Sequence, residues 1–327
     1  MDMPSRAESP SADRLGSEAE SPIRLPGRAW LAILKRVWNG NSAHNLGLLS
    51  AGVAFYAFLS FVPLLGALVM SYGLVADLST VTQHMQIIID LVPADAARLI
   101  NEQLLKLVET AADTKGTALI IALAISIYGA TRASGALITA LNVIYEEQDR
   151  RGIVRSTLVS AVLIVAAVMI GILGMFAATV LGYAGDLLGN IGPAAETAVS
   201  ALTWAVAGIL CCWAIGAMYR FAPDRADARW EWLSVGAVFG TLLWLGATVL
   251  FGVYAANFGD YDTTYGSLGA VVVLLMWLYV SAYAVLIGGL INAETERQTA
   301  RDSTTGSPRP IGMRGAVVAD TSAALEA

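Results

Sequence analysis

Six long stretches of nearly unbroken apolar residues divide the chain, at about 46–75, 117–145, 157–183, 197–221, 232–256 and 267–293. Each exceeds the roughly 20 residues a helix needs to cross about 30 Å of hydrocarbon. The pattern predicts an all-α, polytopic bundle of six transmembrane helices. Pro63, in SFVPLL, predicts a kink in the first of them. Ahead of the blocks, GRAWLAILKRVWNGN (27–41) repeats Trp30, Ile33, Leu34, Val37 and Trp38 at helical spacing, with Lys35 and Arg36 on the other side. That predicts a short amphipathic helix lying along the membrane surface. Between the first two blocks, the polar segment 76–115 holds PADAARLINEQLLKLVETA. This predicts an extracytoplasmic helix opening at Pro93, with Leu99, Ile100, Leu104, Leu107, Val108 and Ala111 on one face. The flanks 1–27 and 297–327 are polar and read as disordered tails on either side of a membrane domain at 28–296.

Composition agrees: 56% of residues are hydrophobic and 14% charged, where a soluble domain carries about 25% charged. The positions of the basic residues matter more than the net charge of −6. Arg6, Arg14, Arg24, Arg28, Lys35 and Arg36 precede the first block. Arg150, Arg151 and Arg155 lie between the second and third, and Arg220, Arg225 and Arg229 between the fourth and fifth. Arg297, Arg301, Arg309 and Arg314 follow the sixth. The opposite connections hold only Arg98, Lys106 and Lys115. The positive-inside rule then puts both termini of this multi-pass membrane protein in the cytoplasm. Residues 1–27 contain no apolar signal-peptide core. Cys211 and Cys212 are adjacent, so they cannot staple distant segments.

The remaining cation, Arg132, sits inside the second block. An unpaired arginine at that depth costs about 2.5 to more than 10 kcal/mol, depending on how it is measured. Tyr128, Arg132, Gly135, Thr139, Asn142 and Glu146 are spaced 4, 3, 4, 3 and 4, which puts them on one helix face. The opposite positions, Ile125, Ala133, Ile138, Leu141 and Ile144, are mostly apolar. The polar stripe is therefore expected to face the protein interior or water. Three readings stay open. Arg132 snorkels to headgroups, it pairs with a carboxylate and braces the bundle, or it lines a cavity that receives an anion.

Several stretches together resemble the YihY/BrkB family of bacterial inner-membrane proteins: LLSAGVAFYAFLSFVPLLGALV, TRASGALITALNVIY, MYRFAPD, and FGVYAANFGDYDTTYGSLGAVVVLLMWLYVSAYAVLIGGLINAE. The likeness covers roughly residues 30–296. The family pattern falls on Tyr56, Ser60, Pro63, Arg132, Asn142, Tyr219, Arg220, Pro223, Tyr254, Tyr265, Gly266, Ser267, Trp277, Gly288 and Asn292. The resemblance implies six membrane helices and an envelope role, including proposed transport of lipids or lipid-linked molecules. It also carries an old label, ribonuclease BN. One departure concerns the last span, where relatives often place an acid in Gly-Ala-Glu-x-Asn. Here Gly288-Gly289-Leu290-Ile291-Asn292 puts Leu290 in its place.

Hydrolase chemistry has no foothold in the motifs. There is no Gly-x-Ser-x-Gly elbow, no HExxH and no phosphate-binding loop. His44 and His84 lie far apart in the sequence. No enzyme activity, cofactor or nucleic-acid partner is expected. Without a nucleotide-binding motif, any uphill movement would draw on an ion gradient or a partner. The expected function is transport or translocation of lipid or another anionic envelope molecule along Arg132, Tyr128, Thr139 and Asn142. A structural or assembly protein of the envelope is the alternative. Pro63, Gly266 and Ser267 are candidates for a hinge or gate, and Tyr219 and Arg220 for headgroup contact. Gly236 and Gly240 form a GxxxG expected to allow close helix packing. The expected partners are membrane lipids, with a homo-oligomer or other envelope proteins beside them.

Overall fold

The computed structural model describes residues 15–73, 117–189, 193–258 and 268–326. A 3-10 turn at Pro22–Arg24 leads into α1 (Gly27–Ala43). The long helices follow: α2 (Leu46–Gly73), α3 (Thr117–Ile144), α4 (Ile153–Gly189), α5 (Pro193–Phe221), α6 (Trp230–Phe258) and α7 (Leu268–Glu296). A last turn, α8, spans Ala323–Glu326. The six long helices coincide with the six apolar blocks. Over their described residues, four are long and apolar enough to cross a membrane: Ile153–Ile170, Thr197–Phe221, Trp230–Tyr254 and Val271–Glu296, with mean hydropathy 1.9 to 2.4. A fifth is added if α1 and the first part of α2, bent by 62° to one another, count as one span. On this measure the spans number four or five, against the six expected.

The long helices close a ring in which α2 packs on α3, α3 on α4, and so on to α7, which returns to α2; α1 lies on the outside of α7. They form three up-and-down pairs, α2 with α3, α4 with α5 and α6 with α7. Each pair starts and finishes at the end of the ring where both chain flanks lie. The α2 helix is assigned without interruption through Pro63. Gly266, Ser267 and the helix expected at Pro93 lie outside the described residues.

Burial is concentrated at that same end. Ile138, Leu141 and Ile144 of α3, Tyr219 of α5, Leu233 of α6 and Leu286 and Leu290 of α7 are all nearly or fully buried, together with Ile33 of α1. This contact divides the apolar residues of α1. Ala29, Ile33, Val37 and Gly40 pack inward, while Leu31, Leu34 and Trp38 stay exposed. The helix is thus apolar on two faces, one against protein and one free to enter the interface, rather than on a single face as expected. Arg36, expected on the polar side, instead turns toward α7.

The flanks correct a second expectation. Residues 15–26 and 297–326 are not loose tails. They cover the end of the bundle as a cap. Arg314, 4% exposed, donates to the carbonyls of Arg309, Arg301, Ala319 and Ala300 and so holds the C-terminal segment in turns. That segment pairs with the start of α6 through Arg229 N–H to Ser303 O and Thr305 N–H to Asp227 O. It meets the N-terminal flank through Ala300 N–H to Ser17 O. Small apolar residues of its own, Ala316, Val318 and Ala319, are buried. A composition poor in large apolar residues folds here because its backbone and guanidinium groups find fixed partners.

Candidate functional site

Arg132 lies two residues past the middle of the 28-residue helix α3, and it is exposed. Its Nε donates to the Tyr128 hydroxyl at 3.2 Å, and its guanidinium carbon lies 5.2 Å from the Tyr128 ring centre. Tyr128 is itself 59% exposed. Two turns further on, the Thr139 hydroxyl donates to the carbonyl of Gly135, so it is bound to its own helix. The stripe therefore faces away from the core, contrary to the expectation of an inward or cavity-lining face. The cause is packing: Ile138, Leu141 and Ile144 on the opposite side fill the ring at 2%, 0% and 1% exposure. In a membrane the contacts that decide rotation are close van der Waals ones, and these residues make them.

Asn142 leaves the stripe altogether. It is buried, accepts from the backbone N–H of Asp224 at 2.8 Å and donates to Asp149 at 3.4 Å. It ties the α3–α4 connection to the α5–α6 connection. The structure thus brings Tyr128 and Arg132 together, leaves Thr139 exposed on the same outward face, and assigns Asn142 to the cap. Tyr219 is also relocated. At 1% exposure its hydroxyl donates to the carbonyl of Val285, which removes it from any headgroup. Arg220 is mostly buried, bonded to the carbonyl of Ala228 and stacked 5.2 Å from the Trp230 ring centre.

Tyr219, Gly236, Gly240, Gly288 and Asn292 form one seam. A Cβ on Gly288 would overlap the Tyr219 hydroxyl and lie 2.6 Å from the carbonyl oxygen of Gly236. Asn292 accepts from the N–H of Gly236 at 2.6 Å and donates to the carbonyl of Leu233 at 3.0 Å. The expected close packing at the GxxxG is therefore present, with its partner glycine on α7. Four residues singled out by the family pattern, Tyr219, Gly288, Asn292 and Asn142, hold helices and connections together.

Beneath the cap, charges pair across elements. Arg225 and Glu296 form a two-pronged ion pair with side chains 2% and 0% exposed. Ser303 donates to the same carboxylate, and the Tyr145 ring lies 4.9 Å from the guanidinium. Arg36 of α1 bonds Glu294 of α7 and Gln298 just past its end. Glu294 lies one turn beyond Leu290, which packs fully buried where α1 has Gly40. The carboxylate directed at α1 is thus one turn further along α7 than Leu290. Arg297 pairs with Glu146, which ends α3 in the left-handed conformation at φ 56°. Sequence reasoning counted these arginines as topology signals and missed their partners. The available signal was the acids in the same connections: Glu146, Glu147 and Asp149, then Asp224 and Asp227, then Glu294 and Glu296.

Two carboxylates of the cap shift in opposite directions. Hydrogen bonds from Arg151 hold Asp149 below the ordinary carboxylate range. Burial raises Glu147, against the opposing N–H of Val317. A raised value means that the folded state holds the proton more tightly than the unfolded one. Glu147 therefore contributes stability below the ordinary carboxylate range and loses it as pH rises through the raised value. Glu147→Gln keeps an acceptor for Val317 and removes the buried charge. It should raise the melting temperature in detergent at pH 7–8 and leave it unchanged at pH 4. A gain of equal size at both pH values would contradict this account.

Among the described residues, no three His, Cys, Asp or Glu side chains come together as a metal-binding group. The fold and the basic, ion-paired cap define a polytopic helical membrane protein. The chain belongs to the BrkB virulence-factor family, whose model matches residues 37–311. It is 27% identical over 267 residues to YfkH of Bacillus subtilis, a protein named as ribonuclease-like, covering 80% of this chain and 94% of that one. It is also 30% identical over 155 residues to a UPF0761 membrane protein of Rhodospirillum centenum, covering 47% of this chain and 33% of the relative. A UPF0761 membrane protein of Tolumonas auensis is 37% identical over 76 residues, 23% of this chain and 25% of the relative. No solved structure matches.

Proposed function

We propose that this protein is not an enzyme but a translocator of lipid, or of another anionic envelope molecule, in the bacterial inner membrane. The observation that carries this reading is the exposed guanidinium near the middle of α3, bonded to a tyrosine of its own helix. A polar stripe on the outer surface of a bundle suits a lipid better than a solute. The headgroup can follow Tyr128, Arg132 and Thr139 while the acyl chains stay in the bilayer. The arginine lowers the barrier for a phosphate at the depth where it is highest. The gathering of basic residues at the capped end supports a cytoplasmic location for both termini.

The test is lipid translocation in proteoliposomes, with fluorescent anionic and zwitterionic lipids and an outer-leaflet quencher. The wild type should expose more than the outer half of the label, and Arg132→Leu should return it to the protein-free level with its melting temperature unchanged. Full translocation by the variant would end the assignment. The same outward exposure also favours a second reading, an envelope assembly protein whose stripe is covered by another helix or a second copy. In that case Arg132→Leu should lower the stability of the complex and leave no translocation to lose.

A further inference from the structure

A cavity of about 640 Å³ opens at the edge of the cap, between the Pro22–Arg24 turn and the first turn of α6. That volume lies in the range of small-molecule sites. Its charged lining is balanced: Arg24, Arg229 and Arg301 against Glu20, Glu231 and Asp302. Most of these groups are already engaged. Arg24 pairs with Glu20, and Arg301 with Glu18. Asp302, its side chain 4% exposed, accepts from Thr304 and from the N–H of Arg309. Two groups are left over. Arg229 uses only its Nε, toward the carbonyl of Thr304, so its two terminal nitrogens make no bond among the described residues. The Glu231 carboxylate makes none either.

The cavity stands at headgroup depth on two independent grounds. Glu231 and Ser234 belong to the first turns of a helix that is apolar enough to span the membrane from Trp230 onward. The other wall is the turn that enters α1, whose Leu31, Leu34 and Trp38 are exposed. Ile23, in that turn and in the cavity lining, is 93% exposed. Tryptophan at a span end and free apolar side chains are marks of the membrane interface.

We propose that this cavity binds a zwitterionic phosphoethanolamine group, with Arg229 receiving the phosphate and Glu231 the ammonium. A guanidinium fork matches two phosphate oxygens. A single free carboxylate beside it selects a primary ammonium, which can donate three hydrogen bonds, over a quaternary one, which can donate none. A purely anionic group would leave Glu231 facing like charge. The site is on α6 and the cap, apart from Arg132, and its occupancy does not depend on whether the protein translocates lipid.

The experiment is titration of the full chain in detergent, followed by calorimetry. The probes are short-chain phosphatidylethanolamine, phosphatidylcholine, phosphatidylglycerol and free O-phosphoethanolamine. Phosphatidylethanolamine should bind saturably, and at least tenfold more tightly than the choline and glycerol lipids. Arg229→Gln should weaken it about tenfold or more. Glu231 is exposed and its carboxylate holds nothing in the fold. Glu231→Gln should therefore leave the melting temperature alone while collapsing the preference for ethanolamine over choline. If free O-phosphoethanolamine binds as tightly as the lipid, the occupant is a soluble headgroup. If it binds far more weakly, the occupant is the membrane lipid. Equal affinity for phosphatidylglycerol, or an ethanolamine preference that survives Glu231→Gln, overturns the proposal.

Discussion

Glu296→Ala should cost about 3–5 kcal/mol, the range for removing one member of a buried ion pair. The reason is the charge it strands. The Arg225 side chain is 2% exposed and bonded through both terminal nitrogens to this carboxylate. With Glu296 gone, the guanidinium keeps its charge but loses the partner that offset its desolvation. The Tyr145 ring, 4.9 Å away, cannot replace a carboxylate. The substitution also frees the Ser303 hydroxyl, and with it the stretch that pairs with α6. Two measurements check this: the melting temperature in detergent, and the rate at which trypsin cuts at Arg301 and Arg314. Both should change sharply. The double variant Arg225→Met, Glu296→Leu removes both charges and should recover much of the loss. If the single variant melts like the wild type, the pair is not the bolt of the cap.

The second large effect is expected at the α6–α7 seam. Gly288→Val should destabilise the protein by about 3 kcal/mol or more, at the upper end of the overpacking range. Its Cβ would overlap the Tyr219 hydroxyl, stand 2.6 Å from the carbonyl oxygen of Gly236 and meet the Cα of Gly240 at 3.1 Å. A tyrosine could give way, but backbone on the neighbouring helix cannot, so α6 and α7 must separate. Separation breaks both bonds of Asn292 to the α6 backbone. Gly246, also on α6, has nothing within 4 Å of the position a Cβ would take. Gly246→Ala should therefore be neutral, or stabilising by up to about 1 kcal/mol from helix propensity. Similar melting temperatures for the two variants would show that the seam tolerates side chains.

The elements of this fold were legible because an apolar block long enough to span a bilayer admits few alternatives. The GxxxG was legible for a related reason: two small residues one turn apart permit close approach, and α7 supplies Gly288 to use it. Rotation about each helix axis was much less so. The α3 pattern has one polar and one apolar face, and it left open whether the polar one meets the protein interior, water or headgroups. What settles the rotation is the fit of Leu141 against Gly289, a contact between segments nearly 150 residues apart in the chain. The cap was hidden for a different reason. Its Ser, Thr and Arg residues have the composition of an unstructured tail. Their order comes from hydrogen bonds, such as those of Thr299 to the carbonyls of Ser17 and Ala19, that no local window contains.

Those same bonds impose an order on biosynthesis. Glu18 and Arg301 are 283 residues apart. At synthesis rates of about 5–20 residues per second, the first segment of the cap waits roughly 15–60 s for its partner to leave the ribosome. The helical hairpins between them must already be in the bilayer, or at its door, when the two flanks meet. Closure of the cap is therefore the last event of assembly, and it needs both ends on the same side. A chain that had threaded an odd number of helices could not make it.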